Sequence, residues 1–128
     1  MSDFNTLLAV KDLMKQNIVT APSGATVKRV AELMTEKGIS SVVLTAEDGA
    51  IAGIITETDI VREVVSKGLD ANAVCVGDVM NEDVHSIAGS TSIFEARGKM
   101  IELKVKHMIV EENNKPVGII SATTLLGS

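Results

Sequence analysis

The two halves of this 128-residue chain repeat one another, which requires a fold built from two similar units. Matching residues recur at an offset of 66, and after one deletion in the second copy the offset becomes 65. The matched runs are Asp12-Leu13-Met14 with Asp78-Val79-Met80, Ile18-Val19-Thr20 with Val84-His85-Ser86, and Gly53-Ile54-Ile55-Thr56 with Gly118-Ile119-Ile120-Ser121. We therefore predict a duplication, with an N-terminal segment and first repeat at 1–68 and a connector and second repeat at 69–128.

Each copy predicts the order strand, helix, strand, strand, helix, which is a mixed α/β (α+β) fold. The predicted elements of the first copy are a strand at 18–20, a helix from its N-cap Thr26 to Gly38, strands at 41–45 and 50–55, and a helix from Thr56 that ends before Gly68. In the second copy, Ser92 and Glu95 have the spacing of a capping box. Gly98 is costly within that helix, and a close helix–helix approach at the interface between the copies would explain it.

Composition and charge exclude several classes of protein. A net charge of −5 argues against binding to duplex DNA, which needs clustered cations. No apolar run is long enough to span a membrane, and the N-terminus lacks the pattern of a signal peptide, so a cytoplasmic location is expected. Cys75 is the single cysteine, so no intramolecular disulfide can form, and a buried or half-buried thiol is expected. His85 and His107 show no metal-ligand spacing, so neither a metal site nor a required cofactor is predicted.

The order of elements, the Asp-x-Met runs and the segment Gly-Ile-Ile-Thr-Glu-Thr-Asp at 53–59 resemble the CBS-domain family, whose members occur in tandem as Bateman modules. The resemblance covers the chain from about Val10 to Leu126. It implies two β-α-β-β-α repeats related by a pseudo-two-fold axis, with clefts that often hold AMP, ADP, ATP, NAD or S-adenosylmethionine. The expected function is a homodimeric regulatory module that senses an adenine nucleotide and signals to a partner protein. The module is expected not to be an enzyme. The alternative is a structural or protein-interaction module that binds no nucleotide.

Two interpretations of Asp59 stay open at the level of sequence. In the family's nucleotide motif, the equivalent carboxylate accepts hydrogen bonds from ribose hydroxyls, while the hydroxyl at the position of Thr56 and the following helix N-terminus face phosphate. Such a carboxylate has the acceptor capacity that a vicinal diol requires. Alternatively, Thr56 is an N-cap and Asp59 its reciprocal partner, which is a capping device without a ligand.

The resemblance adds four further candidate residues. Thr20 follows the first strand, where the family often places a hydroxyl near the nucleotide, and Ser121 takes the place of Thr56 in the second copy. Lys106 and His107 match positions where basic residues reach phosphate. The alternatives are a solvated strand end for Lys106, which the residue type alone favours, and a partly buried neutral imidazole for His107. The predicted nucleotide-binding set is therefore Thr20, Thr56, Asp59, Lys106, His107 and Ser121.

Two further expectations follow from the differences between the copies. The second copy has Thr124 at the position of Asp59, so one strong nucleotide site per chain is expected, on the Asp59 side. Apolar residues left over for a dimer interface are expected on the two last helices of the repeats. These residues are Ile60, Val61, Val64 and Val65 in the first copy and Leu125 and Leu126 in the second.

Overall fold

A computed structural model describes residues 8–16 and 18–126 of the chain. Its strands are β1 (Thr20–Pro22), β2 (Ser41–Thr45), β3 (Ile51–Thr56), β4 (Ser86–Ala88), β5 (His107–Glu112) and β6 (Lys115–Ser121). Its α-helices are α1 (Val10–Leu13), α2 (Val27–Lys37), α3 (Glu57–Ile60), α4 (Ile93–Leu103) and α5 (Ala122–Leu126), and α3 continues as a π-helical segment, Val61–Val65. The predicted mixed fold with two β-α-β-β-α repeats is confirmed.

The first compact unit comprises Val19–Val84 and contains a three-stranded sheet in the order β1-β2-β3. Strand β1 runs parallel to β2, and β2 runs antiparallel to β3 across the hairpin at Gly49. Helices α2 and α3 follow the strands that the repeat predicts for them. Apolar side chains from the sheet, α2 and the π-helical segment form one core, which includes Val27, Val42, Leu44, Ile55 and Val64.

The second compact unit combines the chain up to Ile18 with His85 onward, and its sheet has the order β4-β5-β6. It reproduces the pairing of the first unit, including a register irregularity after Val110 where the first has one after Leu44. Asn113 and Asn114 form its hairpin turn with positive φ, as a two-residue type I′ turn requires. The one-residue deletion of the second copy relative to the first falls at this hairpin turn.

A short segment ahead of the first strand of each copy completes one of the two sheets. In the first unit, Ile54 and Asn81 exchange two backbone hydrogen bonds of 2.9 and 3.0 Å, so the segment around Asn81 lies along β3. In the second unit, Lys15 and Ile119 do the same beside β6, with distances of 2.9 and 3.1 Å. The compact units therefore divide the chain differently from the sequence boundaries 1–68 and 69–128, because strand edges take up hydrogen-bonding partners that lie far away in sequence.

Helix termini follow local signals closely. Thr26 accepts a hydrogen bond from the backbone N–H of Arg29, and Gly38 ends α2 in the left-handed conformation at φ 63°, as predicted. Ser92 caps α4 by accepting from the N–H of Glu95, which is one half of the predicted capping box. Around Gly98 of α4, no atom of the described residues beyond its chain neighbours and the backbone of its own helix lies within 4 Å of where its Cβ would be.

Three further expectations from the sequence are wrong. The first strand is Thr20–Pro22 rather than 18–20, because its parallel register with β2 begins at Thr20. Cys75 is exposed rather than buried, since it belongs to the connector at the surface of the first unit. Leu125 and Val64 are buried in their cores and leave no surface for a partner. Val61 and Val65 are exposed as expected, and the side chain of Leu126 lies outside the described residues.

Candidate ligand-binding site

The N-terminus of α3 places the carboxylate of Asp59 against the end of β3. Asp59 Oδ2 accepts from the backbone N–H of Thr56 at 2.9 Å and from its hydroxyl at 3.0 Å. Thr56 Oγ1 accepts in return from the N–H of Asp59 at 3.2 Å, which completes a capping box. The capping interpretation of this pair is therefore formed. No hydrogen bond to Asp59 Oδ1 is found among the described residues, and the side chain is half-buried.

The backbone around this carboxylate is fixed by the sheet. Ser41 on β2 pairs with Thr56 on β3, and the N–H of Glu57 donates to the carbonyl of Ser40 at 3.0 Å. Two of the first backbone N–H groups of α3 therefore already donate hydrogen bonds, that of Glu57 to Ser40 and that of Asp59 to Thr56. Glu57 and Asp59 also place two acidic residues in the first helical turn. Because negative charge at this end opposes a phosphate, the site suits a neutral hydrogen-bond donor such as a hydroxyl better than an anion.

The second repeat builds the same end of its sheet with different side chains. Ser121 Oγ accepts from the N–H of Thr124 at 3.2 Å and lies 3.0 Å from its hydroxyl oxygen. His107 pairs with Ser121 across β5 and β6, and the N–H of Ala122 donates to the carbonyl of Lys106 at 2.8 Å. This end therefore lacks a carboxylate and carries a cationic residue instead.

The six predicted residues are distributed over both repeats. Thr20, Thr56 and Asp59 belong to the first unit, and Lys106, His107 and Ser121 belong to the second. In the first unit Thr56 and Asp59 are in direct contact, whereas exposed Thr20 lies on β1, on the far side of β2 from β3. In the second unit His107 and Ser121 are neighbours in register, and Lys106 precedes them as an exposed residue.

An apolar cavity of about 180 Å³ lies between α4 and α5, and none of the six predicted residues lines it. Its lining consists of Arg97, Met100, Ile101, Val105, Ala122 and Leu125. Nη2 of Arg97 donates to the carbonyl of Leu125 at 2.7 Å, while its Nε is buried without a partner. The sequence analysis did not find this surface. The signal available for it was limited to Ile101 and Ala122, which are apolar where the first repeat has Thr35 and Glu57.

Over the ranges 8–16 and 18–126, no three residues of the types His, Cys, Asp and Glu come together as a metal site would require. Within the same ranges, none of the helices combines the length and apolar character needed to cross a membrane. The arrangement that the described residues do offer is a duplicated strand–helix junction, acidic in the first repeat and neutral to basic in the second.

Comparison with known proteins agrees with this duplicated architecture. The family model of the CBS domain matches twice, at residues 10–66 and 76–128. An uncharacterized protein of Methanopyrus kandleri is 31% identical over 120 residues, which cover 93% of this chain and 61% of that protein. This chain therefore belongs to the CBS-domain family as a tandem pair of CBS domains, and it spans less than two thirds of that relative's length.

Solved structures share the fold over nearly the whole chain. An uncharacterized conserved protein from Pyrococcus horikoshii has a TM-score of 0.84 at 28% identity and covers 97% of this chain and 93% of its own. A hexameric CBS-CP12 protein from bloom-forming cyanobacteria has a TM-score of 0.85 at 26% identity, with 94% of this chain and 67% of that chain covered. Tandem CBS domains are typically regulatory, ligand-binding modules.

Proposed function

We propose that this chain is a regulatory module that binds an adenine nucleotide through Asp59 and passes its ligand state to a partner protein. The observation that carries the proposal is that the two carboxylate oxygens of Asp59 differ in their hydrogen bonding. Oδ2 holds the cap of α3, and Oδ1 has no hydrogen bond among the described residues. A half-buried carboxylate oxygen without a donor is a favourable acceptor for a ribose hydroxyl.

The charges around the junction indicate which part of a nucleotide would lie there. Glu57 and Asp59 make the start of α3 acidic, so a phosphate beside them would be repelled. The ribose diol is neutral and donates two hydrogen bonds, which suits the same position. In the second repeat, Lys106 and His107 are the candidate phosphate contacts and Ser121 is a candidate hydroxyl partner, while Thr20 is a candidate hydroxyl partner in the first repeat. Few cations are available, so ligands with fewer phosphates, such as AMP, are favoured.

Further proposals concern where the module acts, whether it catalyses a reaction, and what it associates with. We propose that the module acts in the cytoplasm, where the exposed thiol of Cys75 stays reduced. We also propose that the module is not itself an enzyme, needs no cofactor, and works as a homodimer with an unidentified regulated protein. Its ligand class comprises AMP, ADP, ATP, NAD and S-adenosylmethionine.

Thermal unfolding with each of the five ligands tests nucleotide binding. A ligand present at about 100 times its Kd stabilises the folded chain by about 2.7 kcal/mol, which shifts the midpoint by several degrees. Asp59→Asn should reduce the shift to about half or less. The amide oxygen of Asn still accepts in the cap, but the second, charged acceptor is lost. If none of the five ligands shifts the midpoint of the wild-type chain, nucleotide sensing is wrong.

The second candidate function is a protein-interaction module without a nucleotide. It is favoured by the completeness of the capping box, since Thr56 and Asp59 satisfy one another without any ligand. The same measurement separates the two functions. If the chain is a protein-interaction module, Asp59→Ala lowers the free energy of unfolding by about 1 kcal/mol because the cap is lost. None of the five ligands then changes that loss.

A further inference from the structure

The repeated Asp-x-Met runs end in two methionines whose thioethers each lie against a glycine of a sheet. A Cβ on Gly53 of β3 would lie 2.6 Å from Sδ and 2.9 Å from Cγ of Met80. In the second unit, Met14 approaches Gly118 of β6 in the same way, with its Cγ also 2.9 Å from the Cβ position. Each sulfur therefore occupies space that is free only because the residue beside it has no side chain.

The residue after each methionine joins the chain to the edge of the same sheet. Asn81 exchanges two backbone hydrogen bonds with Ile54 on β3, and Lys15 exchanges two with Ile119 on β6. Each methionine and the residue that follows it form what we call an edge segment. Two backbone hydrogen bonds hold such a segment weakly, because both can be exchanged for hydrogen bonds to water. The attachment therefore depends on apolar packing, to which the methionine contributes.

The same two methionines are the accessible ones among the described residues. Met14 and Met80 are half-buried, and both pack at the margin of the cores of their units. The other methionines of the described residues are buried, with 4%, 4% and 1% of their surface exposed in Met34, Met100 and Met108. A dissolved oxidant therefore reaches the sulfurs of the edge segments before the sulfurs in the cores.

We propose that Met14 and Met80 are sites of reversible oxidation by hydrogen peroxide, and that their oxidation releases the edge segments from β6 and β3. The thioether sulfur attacks one oxygen of the peroxide, so an S–O bond forms while the O–O bond breaks. The other oxygen takes up the remaining proton of the peroxide and leaves as water. The sulfur is oxidised by two electrons, the peroxide is reduced by two, and the product is methionine sulfoxide.

The space beside each glycine does not suit the sulfoxide. The thioether already fills this space, so the added oxygen cannot lie on the side of the glycine. The S=O group is also polar, and burying it without a hydrogen-bond donor is unfavourable. The oxidised side chain is therefore expected to turn towards water, which removes its apolar contact and frees the edge segment. This release does not depend on nucleotide binding.

Oxidation of the full chain with hydrogen peroxide tests the modification. A Cys75→Ser background is used, because the exposed thiol of Cys75 would otherwise consume the oxidant. Peptide mass spectrometry should find one added oxygen on Met14 and on Met80. These two should react at least about tenfold faster than the three buried methionines, which react only through local opening of the fold.

Hydrogen exchange followed by NMR tests the release. The backbone N–H groups of Lys15, Ile54, Asn81 and Ile119 all donate in the edge contacts. In the oxidised chain these four should exchange at least about tenfold faster, because loss of the methionine contact raises the population of the open form. The N–H of Val43, which donates to β1 within the first sheet, is the control and should not change. Reductases for both sulfoxide epimers should restore slow exchange.

The leucine variants show whether the two sulfurs are responsible. Leucine has a similar volume and no sulfur to oxidise, so the double variant Met14→Leu, Met80→Leu should keep slow exchange in peroxide. In the single variant Met80→Leu, peroxide should speed exchange only at the Lys15–Ile119 contact. Met34→Leu is the matched control at a buried position and should respond like the wild-type chain. Equal oxidation of all five methionines, oxidation without faster exchange, or an undiminished response in the double variant would each overturn the proposal.

Discussion

Asp59 combines two roles that are usually assigned to different residues. Its Oδ2 accepts both the N–H and the hydroxyl of Thr56, so this oxygen is committed to the helix terminus. Its Oδ1 is the oxygen on which the proposed ribose contact depends. Capping and ligand binding are therefore compatible at this residue. A substitution that keeps the capping oxygen and removes the other carboxylate oxygen is more informative than a substitution to alanine, which removes both.

Asp59→Asn is that substitution. We expect the free energy of unfolding to change by less than about 1 kcal/mol, because the amide oxygen of Asn still accepts from Thr56. AMP affinity should fall about ten- to a hundredfold, which corresponds to about 1.5–3 kcal/mol for a lost charged acceptor. Calorimetry and chemical denaturation measure the two effects separately. Thr124→Ala is the matched control in the second repeat and should leave AMP binding nearly intact.

Gly53 and Gly118 are the two glycines of the repeated motif, and both adjoin the segments that complete the sheets. A Cβ on Gly53 would lie 2.6 Å from Met80 Sδ and 2.8 Å from the carbonyl oxygen of Asn81. A Cβ on Gly118 would lie 2.9 Å from the carbonyl oxygen of Lys15. The backbone partners cannot retreat without breaking the hydrogen bonds that join each segment to its strand.

Gly53→Ala should therefore destabilise the chain by about 1–3 kcal/mol, as overpacking against backbone does. Gly98→Ala offers the opposite result from the same chemical change. It lies in a helix with open space around its Cβ position, so it should stabilise the helix by about 1 kcal/mol. Urea denaturation of the two variants at equal protein concentration checks the difference. Equal effects of the two substitutions would contradict the packing described at Gly53.

Among the secondary-structure elements, those with local signals could be predicted and those fixed by distant partners could not. Helix α2 begins after Thr26 and ends at Gly38 because a side-chain cap and a left-handed glycine act within one turn. Strand β1 was misplaced by two residues because its parallel pairing with β2 depends on residues about 20 positions away. The attachment of the segment around Lys15 to β6 involves partners more than 100 residues apart, which no local pattern reports.

The same reasoning applies to the candidate site. The Thr56–Asp59 cap could be predicted from spacing, because all of its partners lie within four residues. The exposure of Cys75 and the burial of Leu125 could not be predicted. Each depends on whether other parts of the folded unit cover the side chain, and local sequence does not report this. The π-helical continuation of α3 was also not predicted. It appears in the hydrogen bond from the N–H of Ser66 to the carbonyl of Val61, which spans five residues.

An ion pair joins the π-helical segment to the turn that follows it, and its effect on titration can be measured. Lys67 Nζ lies 2.6 Å from Glu63 Oε2, and this hydrogen bond, together with the charge of Lys67, lowers the pKa of Glu63. Lys67→Met should return the pKa of Glu63 towards its ordinary value, as followed by NMR titration of its carboxyl carbon. Lys37→Met, at the end of α2, is the control and should leave that pKa unchanged.

The sign of the linked stability effect follows from the lowered pKa. Because the folded chain holds this proton more weakly than the unfolded chain, the pair stabilises the fold above the ordinary pKa of a glutamate. The contribution is lost as the pH falls through the lowered pKa. The wild-type chain and Lys67→Met should therefore differ in stability at neutral pH and converge in acid. The difference is small because both side chains are largely exposed.

The two repeats have the same backbone arrangement, while the side chains at their strand–helix junctions have diverged. Both copies have the same sheet order, the same register irregularity and a side-chain cap at the last helix. Their chemistry differs, since the first junction has Asp59 where the second has Thr124. The proposed nucleotide site therefore falls on the first repeat.

This asymmetry predicts one strong nucleotide site per chain, which calorimetry with AMP measures directly as a stoichiometry near one. Thr124→Asp should add a second, weaker binding event, because it places a carboxylate one turn after Ser121, where Asp59 stands relative to Thr56. Thr123→Asp is the matched control: it adds the same charge at an exposed neighbouring position that does not contact Ser121, so the stoichiometry should stay near one. Two equal sites in the wild-type chain would show that a carboxylate is not what distinguishes the junctions. A single site that survives Asp59→Asn and disappears in Thr124→Ala would place the ligand at the second repeat instead.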